Sequence, residues 1–271
     1  MIFAPATPRD RKDFGTHLKY VSLIARLAQG ITVVCSTPPT LPKAKLGLIA
    51  DKRRLIVLTR QSIKDEYGIV QIDAEYATAS VLWLPIKAYY LAYHLLCLID
   101  FMLTGKSAVL RAKHGECIER FTAMLRDGSL QFSEPLFNQV FDKSILNFKT
   151  KSGEILRNSV PDDVLYRLAM KKIALEKIET FKSMGGITET RSKKNRDKVE
   201  RYKQTLAVSI FDFFYQMRLR MNYRNSDFID DIPAANIKVY FGEYCNAADR
   251  FYSCFSNLAN RFIAGISGAA L

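Results

Sequence analysis

The sequence is poor in the residues that crosslink small folds or hold structural metals. Its five cysteines are an odd number, and no two of them stand at the C-x-x-C spacing, which argues against a disulfide framework and a zinc cluster. They are Cys35, Cys97, Cys117, Cys245 and Cys254. Unpaired thiols are typical of a reducing compartment, so we expect a cytoplasmic protein.

Several catalytic and structural patterns are also missing. Few stretches alternate apolar and polar residues for more than four positions, which disfavours a fold rich in strands. The chain has no glycine-rich phosphate loop, no triad of metal ligands and no serine nucleophile elbow. We therefore expect no cofactor and no metal. Charges near the N-terminus interrupt the apolar stretch that a signal peptide needs, so we expect no secretion.

Acidic residues are outnumbered. The 271 residues include 40 Lys and Arg against 27 Asp and Glu, which gives a net charge of +13. More than half of this excess lies in residues 149–203, which contain 15 basic and 8 acidic residues. Basic proteins favour polyanionic partners through phosphate contacts and counterion release. The charge thus favours RNA or a nucleotide as partner, although a basic run can equally be a solvated surface.

One apolar run, residues 81–103, is long enough to be a candidate transmembrane helix. It contains Lys87, His94 and Asp100. Because a charge near a bilayer centre costs about 2.5 to 3.5 kcal/mol, we expect no membrane partner and a central helix buried on nearly all sides.

Helical periodicity dominates the chain and predicts an all-α fold. Predicted helices cover residues 18–30, 49–67, 73 to a break or kink at Pro85, 88–103, 113–125, 163–181, 205–222 and 234–263. The prolines of residues 37–42 predict a connecting loop, and the glycine pair at 185–186 predicts a break. The basic run of residues 191–198 is typical of a flexible or fraying segment.

Two elements in the first half of the chain resemble parts of the HEPN domain, an all-helical family of bacterial toxin, defence and nucleotide-associated proteins. The pair Tyr89-Tyr90, followed four residues later by His94, is similar to the tyrosine-pair helix of that family. About twenty residues further on, Lys113-His114-Gly115 resembles the start of the next core helix of the family.

A third element near the end of a late helix is similar to the arginine, three residues, Asp-Tyr pattern of the same family. Here Arg218 is followed by Asn222, where Asp is common, and by Tyr223. The resemblance implies a HEPN-like helical bundle over residues 1–130 and 204–271, with a basic helical insertion over 131–203. It also implies binding of RNA or a nucleotide in a toxin or anti-phage defence system.

Many members of the family are metal-independent ribonucleases that use an arginine followed after four to six residues by a histidine, at a site between two protomers. In this chain the matching positions hold Asn222, Tyr223 and Arg224, and no histidine follows His114. Ribonuclease activity would therefore need a tyrosine or a histidine brought from elsewhere in the fold.

The resemblance and the charge pattern together define the candidate site. Catalytic roles would belong to Arg218, Asn222 and Tyr223, and phosphate-binding roles to Arg220, Arg224, Lys193, Lys194, Arg196 and His114. His94 is expected as a hydrogen-bonded core histidine, and His114 as an anion contact or a helix cap. The partners considered are RNA or a nucleotide, a second copy of the chain, and a partner protein of a toxin or defence operon.

Two alternatives stay open. Asp227, Asp230 and Asp231 are near enough in sequence to pair with the arginines, which would make the cluster a structural salt bridge. The same bundle could also act as a non-catalytic module that docks a partner protein, with the basic insertion as a surface.

Overall fold

The computed structural model describes residues 8–81, 83–150, 160–223 and 234–267. Within this part of the chain the fold is almost wholly helical with one two-stranded sheet, so the all-α character predicted from the sequence is confirmed. The helices are α1 Pro8–Leu27, α2 Ile49–Ile72, α3 Ala74–Ser80, α4 Trp83–Thr104, α5 His114–Arg126, α6 Asp162–Met184, α7 Lys193–Gln204, α8 Ile210–Tyr223 and α9 Ala234–Ser267. The strands are β1 Val33–Cys35 and β2 Leu130–Phe132.

Helix α4 is the centre of the fold. It is apolar around most of its circumference, and it packs against α2, α8 and α9. It is the one described helix long and apolar enough to cross a membrane, but 72% of that apolar stretch is buried inside the fold. This burial is typical of a core helix, and it agrees with the expectation for residues 81–103. The helix ends at Thr104, and Gly105 follows with a φ of 64°.

The long final helix α9 covers one side of α4 and also packs against α1 and α2. Its buried stripe includes Phe241, Ala248, Phe251, Phe255 and Leu258. These residues recur at helical spacing, which is why a single helix of 34 residues can contact four others, α1, α2, α3 and α4, along its length.

A short antiparallel ribbon pairs β1, which follows α1, with β2, which follows α5. Val33 pairs with Phe132 and Cys35 pairs with Leu130. Phe132 is buried against Phe137, Phe251 and other rings of the core. The ribbon therefore closes the core beside α9.

The segment predicted as an insertion shares the main core and adds a small one. Helix α6 contributes Tyr166, Met170 and Ile173 to the main core. Further along, Ile178, Ile187 and Val199 form a separate cluster between α6 and α7. Helix α7 thus packs on the end of α6.

Several predicted helix boundaries were wrong: α1 begins at Pro8 rather than at residue 18, and both the end of α2 and the break near Pro85 differ from their predictions. Helix α2 continues through Gly68 to Ile72 although a stop was predicted before the glycine. Its buried stripe holds Ile63 and Val70 on either side, and an interior glycine costs a helix only about 1 kcal/mol. The break predicted at Pro85 comes earlier, between Ser80 and Trp83, so that Pro85 lies in the first turn of α4, where a missing N–H is tolerated.

The basic run of residues 191–198 also differs from its prediction. It is helical from Lys193 onward, because the side chain of Ser192 accepts a hydrogen bond from the backbone N–H of Asn195 and Val199 is buried. Helix α8 begins at Ile210, five residues later than predicted. Asp212 accepts a hydrogen bond from the backbone N–H of Ser209 at 2.9 Å, which fixes this start as half of a capping box.

Candidate functional site

Three helices bring the residues of the family resemblance into contact. Helix α4 supplies two adjacent pairs of side chains about one turn apart, at positions 89–90 and 93–94. Helix α5 supplies its first residue, and α8 supplies the side chains at positions 215 and 218. We call these residues the aromatic–arginine cluster: Tyr89, Tyr90, Tyr93, His94, His114, Tyr215 and Arg218. The sequence analysis proposed Arg218 and His114 as site residues but did not predict their contact through the tyrosines.

Arg218 lies against two tyrosine rings. Its guanidinium carbon is 5.5 Å from the ring centroid of Tyr89 and 5.3 Å from that of Tyr90. Its Nη2 donates to the Tyr90 hydroxyl at 3.2 Å, while its Nε is buried without a partner. No described carboxylate forms an ion pair with it. The guanidinium is therefore a half-buried cation whose counter-charge is absent from the described residues.

His114 faces this arginine across the tyrosines. Its Nδ1 lies 2.6 Å from the Tyr89 hydroxyl, and its ring centroid lies 4.3 Å from that of Tyr93. Burial and the charge of Arg218 lower the pKa of His114, so the imidazole is neutral at pH 7. Its Nε2 has no hydrogen-bond partner among the described residues. The expected capping role is wrong, because Lys113 is the N-cap residue and no side chain caps this helix.

Tyr89 and Tyr90 occupy different environments. Tyr89 is only 2% exposed, and burial raises the pKa of its hydroxyl far above the ordinary value, so it keeps its proton. Tyr90 is half-buried and contacts Arg218, His94 and His114. Tyr89 thus anchors the cluster in the core, while Tyr90 forms its outer edge.

Tyr93 and His94 continue the cluster along α4. The Tyr93 hydroxyl donates to the backbone oxygen of Ala112 at 2.6 Å. Burial, with the charge of Lys52 and then His114, lowers the pKa of His94 to about 4. The Nδ1 of His94 is buried and has no hydrogen-bond partner, so the expectation of a hydrogen-bonded histidine is not met at this atom.

Lys52 on α2 is a second cation beside the cluster, and no pattern in the sequence singles it out. Its Nζ lies 5.6 Å from the Tyr93 ring centroid and donates to the backbone oxygen of Leu110 at 3.2 Å. Burial lowers the pKa of this ammonium. The helical turn Ser107–Arg111, which ends beside it, carries the chain from α4 to α5.

The other candidate residues are not brought into the cluster. Lys193, Lys194 and Arg196 are exposed on the first turn of α7, and no described contact joins them to Arg218. The backbone of Arg220, Asn222 and Tyr223 belongs to α8, but their side chains lie outside the described part of the chain, as does Arg224. The predicted pairing partners Asp227, Asp230 and Asp231 also lie outside it.

Two cysteines lie behind the cluster. Cys97 and Cys117 are wholly buried with their Sγ atoms 4.0 Å apart, and all five cysteines are free thiols. Among the described residues no three His, Cys, Asp or Glu side chains come together as a metal-ligand set.

A polar pocket of about 330 Å³ lies on another side of α5. It is lined by residues of α5, α6 and α7 and of the segment before α8, including Glu119, Arg126, Lys177 and Tyr202. The Nζ of Lys177 already donates to Asp212 at 2.7 Å and to the backbone oxygen of Ala207. Because its buried charge is neutralised, this pocket is a weaker candidate for an anion than the cluster at Arg218.

The chemistry of the cluster must be read from its own geometry, since no protein-family model, curated protein or solved structure matches this chain. Among the residues that the structure describes, that geometry combines an arginine with no counter-charge, a neutral histidine with one nitrogen unpartnered, and aromatic rings. Such a set can bind an anion next to a planar or apolar group.

Proposed function

We propose that this chain is a HEPN-like protein that binds RNA or a nucleotide through Arg218, as a component of a toxin or anti-phage defence system. The proposal is supported by the contact between the three elements that resemble the family, which lie far apart in sequence. A single observation carries it: the Arg218 guanidinium rests on the rings of Tyr89 and Tyr90 with no described carboxylate beside it.

This arrangement favours a phosphate for physical reasons. The planar guanidinium offers paired N–H donors that match two phosphate oxygens, and the rings beneath it hold its plane in one orientation. A half-buried cation that has no carboxylate among its described neighbours has lost part of its hydration, and an anionic ligand restores the lost interaction. The hydroxyl of Tyr90, which accepts from Nη2, helps to fix the guanidinium.

His114 supports the same ligand. If the Tyr89 hydroxyl donates to Nδ1, the single proton of the neutral imidazole is on Nε2. The Nε2–H group then serves as a second donor toward a bound phosphate or ribose. The first backbone N–H groups of α5 point from the same end of the helix, where they favour an anion.

Binding of a fluorescein-labelled single-stranded RNA, followed by anisotropy at several salt concentrations, tests the proposal. The substitution Arg218→Lys keeps the charge but loses the planar fork, and we expect it to weaken binding about tenfold or more. The matched control is Arg60→Lys. Arg60 also lies over a tyrosine ring, at 4.2 Å from the Tyr252 centroid, but it pairs with Asp249 at 2.6 Å. Equal affinities for both variants and the parent protein would overturn the proposal.

A second candidate function is metal-independent ribonuclease activity, because the fold brings His114 close to the arginine although no histidine follows Arg218 in sequence. In that reaction the ribose 2′-oxygen attacks the adjacent phosphorus and the P–O5′ bond breaks. The 2′-hydroxyl proton passes to a base, and the 5′-oxygen receives a proton. Nε2 of His114 can act as the base only if Nδ1 carries the proton and donates to Tyr89.

Cleavage of RNA in the presence of EDTA distinguishes this activity from binding alone. An active ribonuclease would form 2′,3′-cyclic phosphate ends, and His114→Gln would reduce the rate at least a hundredfold. If the parent protein binds the RNA without cleaving it, the ribonuclease candidate is rejected and the binding proposal stands.

The remaining alternative is a module that docks a protein partner. Helix α2 exposes Leu55, Leu58, Ile69 and Ile72, which could pack against another apolar surface. Salt separates the two functions, since phosphate binding weakens steeply with ionic strength and apolar docking does not.

A further inference from the structure

Two cations stand at the ends of one row of contacts. Arg218 lies over the ring of Tyr89, whose centroid is 6.0 Å from that of Tyr93, and the Nζ of Lys52 lies 5.6 Å from the Tyr93 centroid. The two tyrosine rings are nearly parallel, at an interplanar angle of 20°. The row therefore runs along α4 from α8 at one end to the start of α2 at the other.

Within the described part of the chain, no carboxylate balances the charges of this row. Neither Arg218 nor Lys52 forms an ion pair with a described carboxylate. Lys52 and His114 act on His94, and Arg218 acts on His114, with no carboxylate among these groups. Lys171 is likewise half-buried and within the described residues donates only to a backbone carbonyl, that of Phe148, whereas other half-buried lysines pair with a carboxylate. Lys87 donates to Glu66 and Lys177 to Asp212, each at 2.7 Å.

Capping the turn Ser107–Arg111 accounts for only part of the hydrogen-bonding capacity of Lys52. Lys52 uses one of its three ammonium protons for the Leu110 carbonyl, and no other hydrogen bond is formed by the remaining two within the described residues. The ammonium is partly withdrawn from water by this packing, which is unfavourable unless an anion compensates. The same reasoning applies to Arg218 at the other end of the row.

On the basis of the proposed function, we infer that the ligand carries two separate anionic groups, one held by Arg218 and the other by Lys52. Its chemical class is a ribose–phosphate unit with a phosphate on each side of the ribose, either as a free nucleoside bisphosphate or as a step of an RNA chain. The ribose and base of that unit lie against Tyr90, His94 and His114, the half-buried members of the cluster, because Tyr89 and Tyr93 are buried. Lys52 is thus the residue that distinguishes such a ligand from a nucleoside monophosphate.

Isothermal titration with two defined probes tests this inference. The probes are uridine 5′-monophosphate and uridine 3′,5′-bisphosphate, and the measured quantity is the ratio of their Kd values for each variant. For the parent protein we expect the bisphosphate to bind about tenfold more tightly, as one added charge-assisted contact would give. Lys52→Met should bring the ratio to within about twofold of unity while the monophosphate affinity changes little. Partial unfolding would weaken both ligands alike, so the ratio is insensitive to it.

The matched control is Lys238→Met. Lys238 also donates to a backbone carbonyl of α2, that of Gln71, but it does so at the other end of the helix, about 28 Å from Lys52 by the helical rise. This variant should keep the tenfold ratio. A ratio that falls equally in both variants would show a general charge effect, and it would overturn the assignment of Lys52.

The outcomes separate this inference from the function on which it rests. Monophosphate binding that Arg218→Lys abolishes, with a ratio that Lys52→Met leaves unchanged, would reject the second anion site alone. If neither probe binds, or if Arg218→Lys has no effect on either, the proposed function fails and the inference fails with it.

A short oligouridylate that binds more tightly than the bisphosphate, with the same loss in Lys52→Met, identifies the source as an RNA chain. Equal affinities identify it as a free nucleotide.

Discussion

The hydroxyl of Tyr89 and the Nδ1 of His114 lie 2.6 Å apart, although 25 positions separate these residues in the sequence. Tyr89 is buried in the core, so this hydrogen bond holds the half-buried imidazole of His114 in one orientation. The bond connects the packing of α4 directly to the candidate site, and substitutions at the tyrosine pair should reveal that connection.

Truncation should separate the two tyrosines. Tyr89→Ala removes a buried ring together with its hydrogen bond, and we expect the free energy of unfolding to fall by about 3 to 5 kcal/mol. Tyr90→Ala removes a half-buried ring and should cost less than about 2 kcal/mol. Urea denaturation measures both values. Similar losses for the two variants would contradict the arrangement described for α4.

His94 should make the stability depend on pH. Its pKa is about 4 in the fold and 6.5 as an ordinary histidine, so between these values the unfolded chain binds a proton that the folded chain does not. Stability therefore falls as the pH is lowered from about 6.5 toward 4, by on the order of 2 kcal/mol for a partly screened group. His94→Asn should flatten this dependence. A stability profile that the substitution leaves unchanged would show that His94 titrates normally.

The buried pair Lys177 and Asp212 should behave as a coupled unit. Asp212 is 1% exposed, and Lys177→Met would leave its carboxylate buried without a cation, at a cost of about 3 to 5 kcal/mol. The double variant Lys177→Met with Asp212→Leu should recover most of that loss. Denaturation of both single variants and the double variant completes the cycle, and additive losses would show that the two charges do not interact.

Two glycines should respond in opposite directions to alanine. Gly68 lies inside α2 with nothing within 4 Å of an added Cβ, so Gly68→Ala should stabilise the protein by about 0.5 to 1 kcal/mol. Gly105 has a φ of 64° and lies close to Pro42, so Gly105→Ala should be destabilising. Melting temperatures of the two variants test this contrast. A loss of stability at Gly68 would mean that the helix is interrupted there.

The basic turn of α7 should act differently from Arg218. Neutralising the exposed Lys193, Lys194 and Arg196 should weaken RNA binding modestly and flatten its dependence on salt, as contacts to the phosphate backbone do. Arg218→Ala should abolish binding. It should also cost some stability, because this arginine packs on two rings and is not fully exposed. Anisotropy titrations over a range of salt concentrations give both slopes, and an unchanged slope in the triple variant would exclude α7 from the interface.

Sequence reasoning located the helices of the site more reliably than their contacts. The ends of α4 and α5 follow from local signals, namely the glycine after Thr104 and the apolar spacing of Cys117, Ile118 and Phe121. Asp73 stands where the predicted helix begins, and as the N-cap of α3 it accepts a hydrogen bond from the backbone N–H of Tyr76. These features depend on neighbours within one or two helical turns.

Features that depend on distant contacts could not be predicted in the same way. Nothing in the sequence around Lys52 distinguishes it from the other lysines and arginines of α2, because its role arises where α2 meets the turn before α5. The continuation of α2 through Gly68 and the helical state of residues 193–198 also depend on burial against other elements. Only substitutions at these positions themselves would reveal these roles without the structure.

The small apolar cluster between α6 and α7 has a consequence for how the molecule opens. Its three buried side chains, Ile178, Ile187 and Val199, are separate from the main core, and the parallel rings of Phe181 and Tyr202 close its edge at 4.2 Å. Opening this unit exposes little apolar surface, so it can proceed without global unfolding. Backbone amides of α7 should consequently exchange with deuterium much faster than those of α4, even while α8 remains folded.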